Sequence, residues 1–210
     1  MTENPSKVPP VWNVPNILTF ARILFAILIF ALMPFDYYRT CLVLFILGSL
    51  TDFVDGWWAR KFHQVTKLGR IVDPFADKLL VCGTLIYLVS IPDLTKVTCP
   101  GCSCGWNFGL APWMVVVIVS RELLVTLLRS MVEGAGGDFS AKWLGKIKMG
   151  FQCVGIAACF LYLILKEKGE SCPYLTLLMI VSLWGMVWTA IHSCVNYIVA
   201  ATSALRKVDF

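Results

Sequence analysis

The sequence predicts an all-α integral membrane protein: a single domain over residues 1–210 that forms a bundle of six transmembrane helices, with both termini cytoplasmic. Of the 210 residues, 58% are hydrophobic and 15% are charged, and the mean hydropathy of +0.76 is too high for a soluble domain. No stretch shows strand-like alternation, which leaves helices to span the bilayer. Six apolar stretches are long enough: residues 16–34, 38–58, 71–91, 112–131, 147–165 and 174–204.

The first stretch follows a polar start, MTENPSKVPP, and no cleavage-site pattern comes after it. It is therefore expected to be a retained helix rather than a signal peptide. Arg22 lies inside this stretch, and a cation within a span requires a partner or a path to the membrane surface.

The second and third stretches carry four aspartates at paired spacings. Asp52 and Asp55 are three residues apart, and Asp73 and Asp77 are four apart, so each pair lies on one helix face. Facing carboxylates repel unless a cation lies between them, and Mg²⁺ and Mn²⁺ prefer oxygen ligands. The spacing predicts a two-metal site at the membrane surface. Pro74 is expected in the first turn of the third helix, where its missing N–H breaks no helix bond.

Further charged residues lie in the fourth stretch and in the loop that follows it. Arg121 and Glu122 lie well inside the fourth, and glycines within residues 134–137 are expected to end that helix and begin a flexible inner loop. The loop would hold three lysines at the membrane surface. Taken one residue at a time, Lys142 and Lys148 are expected to be solvated loop charges, whereas Arg121, within the apolar helix, is expected to have a functional role. The sixth stretch is longer than a bilayer requires, so it tilts or projects into the cytoplasm.

The basic residues predict the orientation. With a cytoplasmic N-terminus, the inner segments hold nine lysines and arginines and the outer loops hold four. This distribution follows the positive-inside rule and places the aspartates at the cytoplasmic face. A net charge of +5 also suits a surface that faces anionic lipid.

Four of the nine cysteines fall in the outer loops: Cys99, Cys102, Cys104 and Cys172. They could form two disulfides or a four-thiolate zinc site. The alternative is a variable loop that is remote from the chemistry.

The segment from Asp52 to Asp77 follows the pattern D-x2-D-G-x2-A-R-x8-G-x3-D-x3-D, in which the other fixed positions are Gly56, Ala59, Arg60 and Gly69. The pattern resembles the signature of the CDP-alcohol phosphotransferases, and every specified position is matched. The resemblance implies transfer of a phosphatidyl group from a CDP-linked lipid to an alcohol, with release of CMP. It also implies a homodimer.

The resemblance implies a role for each residue of the pattern. Asp52, Asp55, Asp73 and Asp77 would hold two Mg²⁺ or Mn²⁺ ions, and Asp77 would be the general base that deprotonates the acceptor alcohol. The residues expected to bind the CDP-lipid are Asn16, Thr19, Gly56, Ala59, Arg60, Thr66 and Gly69.

Three further runs resemble the phosphatidylglycerophosphate synthases of that family: NVPNILTFARI, SRELLVTLLRS and KWLGKIKM. The first is also found in related cardiolipin synthases. The implied acceptor is sn-glycerol 3-phosphate, whose free phosphate requires a cationic pocket. The residues expected to bind this phosphate are Arg121, Arg129, Lys142, Lys146 and Lys148.

Two kinds of alternative stay open. Within the family, the acceptor could be phosphatidylglycerol, as in a cardiolipin synthase, or a phosphoinositol or serine. From another class, the chain could be a divalent-cation transporter, although transporters place acidic groups near the bilayer centre. Here the aspartates lie at span ends on one side, beside Gly56 and Arg60, which ion transport does not require. The expected partners are CDP-diacylglycerol, glycerol 3-phosphate and membrane lipids, with no nucleic acid.

Overall fold

The computed structural model describes the backbone of residues 14–62, 67–100, 106–134 and 142–205, and side chains over 16–52, 72–100, 106–128 and 147–199. These residues form α-helices joined by short connections. The helices are α1 (Val14–Leu32), α2 (Tyr38–Phe62), α3 (Lys67–Leu88), α4 (Pro92–Thr95), α5 (Pro112–Gly134), α6 (Lys142–Glu167) and α7 (Pro173–Leu205). A 3₁₀ turn, Met33–Phe35, follows α1.

Each of the six predicted spans coincides with one of the long helices, since a continuous apolar run both favours burial in lipid and supports a helix. Within the described residues, three segments have the length and apolar composition to cross a membrane: Asn16–Phe35, Ile147–Glu167 and Pro173–Val199. The chain is a helical membrane protein, and the full set of six spans stays a prediction.

The surface of α1 shows the arrangement typical of a protein in lipid. Its exposed positions include Ile17, Leu24 and Ile27, which are 50–54% exposed. Its buried stripe begins with polar side chains and continues with apolar ones: Asn16, Thr19, Arg22, Ala26 and Ile29. The polar atoms are therefore inside, and the apolar surface faces the bilayer.

The first of two compact units covers residues 1–84 and contains α1, α2 and most of α3. α1 and α2 pack against each other. Two glycines allow close approach to α3: a Cβ on Gly48 would lie 2.8 Å from Leu80 Cδ2, and one on Gly83 would lie 2.3 Å from Phe30 Cζ. Small residues at such positions are typical of helix packing in membranes.

Pro74 lies inside α3 and not in its first turn. The sequence-based prediction was wrong because the basic segment that precedes Ile71 continues the helix, which begins at Lys67. Proline has no N–H, so the carbonyl four residues earlier lacks its usual donor within α3.

The second unit covers residues 85–210. α7 packs against both α5 and α6. In the α6–α7 pair, a Cβ on Gly185 would lie 2.6 Å from the ring of Phe151, and one on Gly155 would lie 2.6 Å from Met186 Cε. α7 has 33 residues, or about 50 Å of helix at about 1.5 Å per residue, which agrees with the predicted excess length.

The connection between α3 and α5 is folded. The Leu94 carbonyl accepts from Leu110 N at 2.9 Å, the Val97 carbonyl accepts from Phe108 N at 2.8 Å, and an isolated β-bridge joins Thr98 to Asn107. Cys99 and Cys172 are free thiols. The predicted pairing of all four outer cysteines in two disulfides is therefore wrong. Cys102 and Cys104 lie outside the described residues.

Candidate functional site

Three of the four predicted metal-binding aspartates have described side chains. Asp52 lies on α2, and Asp73 and Asp77 lie one turn apart on α3. All three are half-buried. The other fixed positions of the pattern lie on these helices, outside the described side chains: Asp55, Gly56, Ala59, Arg60 and Gly69. Thr66, also predicted to bind the CDP-lipid, lies outside the described residues.

α1 contacts an aspartate on each of the other two helices of this unit. Arg22 Nη1 lies 3.0 Å from Asp52 Oδ1, and the Thr19 hydroxyl donates to Asp73 Oδ1. Arg22 is 0% exposed and Thr19 is 1% exposed. Asp52 is therefore the partner that a buried Arg22 requires. Asn16, also predicted to bind the CDP-lipid, is buried on the same stripe.

The donor set suits a hard divalent cation. In each of Asp52 and Asp73, the contact with α1 engages the Oδ1 oxygen, and Oδ2 is a further carboxylate oxygen of the kind that Mg²⁺ and Mn²⁺ prefer. Among the described side chains, no three acidic, histidine or cysteine residues form a ready-made metal cage. Asp55, the fourth predicted metal ligand, has its side chain outside that set.

In the second unit, a polar cluster is centred on one oxygen of Glu122. Glu122 Oε1 lies 3.1 Å from Arg121 Nη1 and 2.5 Å from Lys148 Nζ, and it accepts from Gln152 Nε2 at 3.3 Å. These residues come from α5 and α6. Arg121, Glu122 and Gln152 are each less than 10% exposed. Two cations and one carboxylate leave the cluster with one net positive charge.

α7 completes the surroundings of Arg121. Arg121 Nη2 donates to the Ser193 hydroxyl, and the guanidinium carbon lies 5.7 Å from the centre of the Tyr197 ring, within cation–π range. Within the described part of the chain, Arg121 Nε is buried and donates to no acceptor. A buried N–H without an acceptor costs about 1–3 kcal/mol, and a ligand oxygen could satisfy it.

The structure corrects the description of the lysines. Lys142 begins α6, so Lys142, Lys146 and Lys148 belong to a helix and not to a flexible loop. Lys148 was predicted to be solvated, but its side chain is 12% exposed and pairs with Glu122. The prediction was wrong because Glu122 of α5 lies beside Lys148 and pairs with it, a contact between helices that the sequence does not reveal. The side chains of Lys142, Lys146 and Arg129 lie outside the described set.

Sequence reasoning missed three members of this cluster: Gln152, Ser193 and Tyr197. Gln152 could have been found, because an amide inside an apolar span requires a polar partner. Serine and tyrosine are common in membrane helices, so Ser193 and Tyr197 carry no comparable signal in the sequence.

Comparison with known proteins identifies the family of this chain. Residues 12–201 match the family model described as CDP-alcohol phosphatidyltransferase. A Bacillus subtilis protein named CDP-diacylglycerol--glycerol-3-phosphate 3-phosphatidyltransferase is 37% identical, over 93% of this chain and 98% of its own length. Proteins of the same name from Rickettsia bellii and Rickettsia typhi are 32% and 31% identical, each over 88% of this chain and more than nine-tenths of their own. The chain therefore belongs to the CDP-alcohol phosphatidyltransferase family.

Proposed function

We propose that this protein transfers the phosphatidyl group of CDP-diacylglycerol to sn-glycerol 3-phosphate, which forms phosphatidylglycerophosphate and releases CMP. The relatives that match along nearly the whole chain carry the name of this activity. The cationic cluster around Arg121 supports a small acceptor that bears a phosphate.

The observation that carries the acceptor assignment is the burial of Arg121 together with the hydrogen bonds that its guanidinium makes and lacks. Its guanidinium is buried and is fixed by Glu122 and Ser193, while Nε lacks an acceptor among the described residues. A phosphate oxygen would supply that acceptor, and the net positive charge of the cluster would balance part of the phosphate charge. Lys148 would contribute a second cation, and Arg129, Lys142 and Lys146 are further candidates.

The CDP-lipid and the metals are assigned to the first unit. Asp52, Asp55, Asp73 and Asp77 would hold two Mg²⁺ or Mn²⁺ ions, which would neutralise the diphosphate and stabilise the departing CMP. The proposed ligands of the CDP-lipid are Asn16, Thr19, Gly56, Ala59, Arg60, Thr66 and Gly69.

Asp77 is assigned as the general base. It would accept the proton of the acceptor hydroxyl as that oxygen attacks the β-phosphorus, which carries the diacylglycerol. The new phosphorus–oxygen bond forms as the bond to CMP breaks. Positioned base catalysis contributes about 10²–10⁴-fold, and Asp77 is half-buried, so a hydroxyl could reach it.

The positive-inside distribution supports a site at the cytoplasmic face of the plasma membrane, where glycerol 3-phosphate is available. Membership of the family supports a homodimer.

The test is CMP release by the purified protein with CDP-diacylglycerol and one acceptor at a time. Release that requires both CDP-diacylglycerol and glycerol 3-phosphate is the expected result, and chelation of divalent ions should abolish it. If CMP is released from CDP-diacylglycerol only when phosphatidylglycerol is the acceptor, the protein would instead be a cardiolipin synthase. Cation uptake into liposomes without any CMP release would favour a transporter.

A further inference from the structure

We infer that Thr19 and Arg22 are positioning residues for the metal site: α1 holds Asp73 and Asp52 in the orientation that binds the ions. The inference rests on the proposed function, because it requires those two aspartates to be metal ligands. It gives Thr19 a role that differs from contact with the CDP-lipid.

The two contacts are well placed to fix a carboxylate. Thr19 and Arg22 are almost completely buried, whereas Asp52 and Asp73 are only half-buried. Water therefore competes poorly at the α1 end of each contact, and a hydrogen bond or ion pair is stronger where water is excluded. Each aspartate is held at Oδ1, and Oδ2 is the other oxygen that it could offer to an ion.

The two residues of α1 that contact the aspartates lie close together on that helix. Thr19 and Arg22 are three residues apart, so they lie on one face and about 4.5 Å apart along the axis at about 1.5 Å per residue. One rigid helix thus anchors a carboxylate from α2 and a carboxylate from α3 within a single turn.

Residues that hold metal ligands without touching the ion commonly change metal affinity about 10–100-fold when they are replaced. Thr19→Val keeps the shape of the side chain and removes the donor to Asp73. Thr19→Ser keeps the donor. Thr84→Val is the matched control, because Thr84 is also buried in this unit but donates to the Leu80 carbonyl of its own helix.

The experiment measures Mn²⁺ binding to the purified full-length protein without substrate, from the electron paramagnetic resonance signal of free Mn²⁺. Thr19→Val is expected to raise the dissociation constant for Mn²⁺ at least about tenfold. Thr19→Ser and Thr84→Val are expected to stay close to wild type. The Mn²⁺ concentration for half-maximal activity should follow the same order.

Equal Mn²⁺ affinities for Thr19→Val and Thr84→Val would overturn the role of Thr19 and leave the proposed function standing. A wild-type protein that binds no Mn²⁺ but releases CMP would remove the metal site itself, and this inference with it.

A double-mutant cycle tests the Arg22 contact by thermal unfolding without metal. Arg22→Met leaves Asp52 without its cation, and Asp52→Asn leaves Arg22 without its anion. The double variant should therefore lower the melting temperature by less than the sum of the decreases in the two single variants. Additive effects would mean that the pair is not coupled, which would overturn the role of Arg22. The Arg39→Met variant, at an exposed position, is the control and should be additive with Asp52→Asn.

Discussion

A carboxylate inside a membrane protein requires several compensating donors, and Glu122 has them. Arg121, Lys148 and Gln152 all lie within 3.3 Å of its Oε1 atom. Two of these donors are cations, so the carboxylate also reduces the repulsion between Arg121 and Lys148. Glu122 therefore allows two positive charges to lie close together in a buried place.

Arg121→Lys should raise the KM for glycerol 3-phosphate about 10–100-fold, since hydrogen bonds to charged groups are worth about 1.5–3 kcal/mol. Lysine keeps the charge but cannot reproduce the planar fork that reaches both Glu122 and Ser193. The KM for CDP-diacylglycerol should change little, and steady-state kinetics with each substrate varied separately would show the difference. Arg39→Lys is the exposed control. Equal rises for both substrates would indicate a general structural defect.

Asp77→Asn should lower kcat by about 10²–10⁴-fold, because the amide cannot accept the proton of the acceptor hydroxyl. The shape of the side chain is kept, so binding of CDP-diacylglycerol should persist, as measured by filter binding with labelled lipid. Asp36→Asn, in the exposed turn after α1, should retain activity. Near-normal turnover of Asp77→Asn would refute the assignment of the base.

At the scale of helices, most positions of the long elements could be predicted, but their contacts could not. Hydropathy and length locate α1, α2, α3, α5, α6 and α7, because each contains one of the six apolar stretches. The four-residue α4 was missed, since so short a helix has no period of its own. The pattern shows that Asp52 and Asp55 share a face, but periodicity does not reveal that Arg22 is the partner of Asp52.

Two glycines of the second unit should respond in opposite ways to alanine. At Gly109, a Cβ would lie 2.1 Å from the Leu94 carbonyl oxygen, a backbone atom that cannot move aside easily. At Gly150, inside α6, a Cβ would meet nothing within 4 Å. Gly109→Ala should cost about 1–3 kcal/mol through overpacking, and Gly150→Ala should be neutral or stabilise by up to about 1 kcal/mol.

Thermal unfolding in one detergent would compare the two variants directly. A lower melting temperature for Gly150→Ala than for Gly109→Ala would contradict the packing described for the connection between α3 and α5.

At the scale of the whole molecule, the central prediction is the orientation in the membrane. Cys172 precedes α7 and is partly exposed, whereas Cys159 within α6 is 0% exposed. With both termini inside, Cys172 faces the exterior. A variant whose only cysteine is Cys172 should react with a membrane-impermeant thiol reagent in intact cells, and one with only Cys159 should stay unlabelled. Labelling of Cys172 that requires permeabilised cells would reverse the orientation and the proposed location of the site.

The outward face of α1 has a consequence for how this protein can change over evolutionary time. Lipid tails are as apolar as Ile17, Leu24 and Ile27, so moving these side chains from lipid to a protein neighbour yields little free energy. Any aliphatic residue of suitable size should serve at those positions, and they are free to drift. Substitutions on the inward stripe should not be tolerated in this way, because the contacts of Thr19 and Arg22 depend on specific atoms. In a library of random substitutions across α1 that is selected for growth, the tolerated substitutions should therefore recur every three to four residues, at the positions that face the lipid.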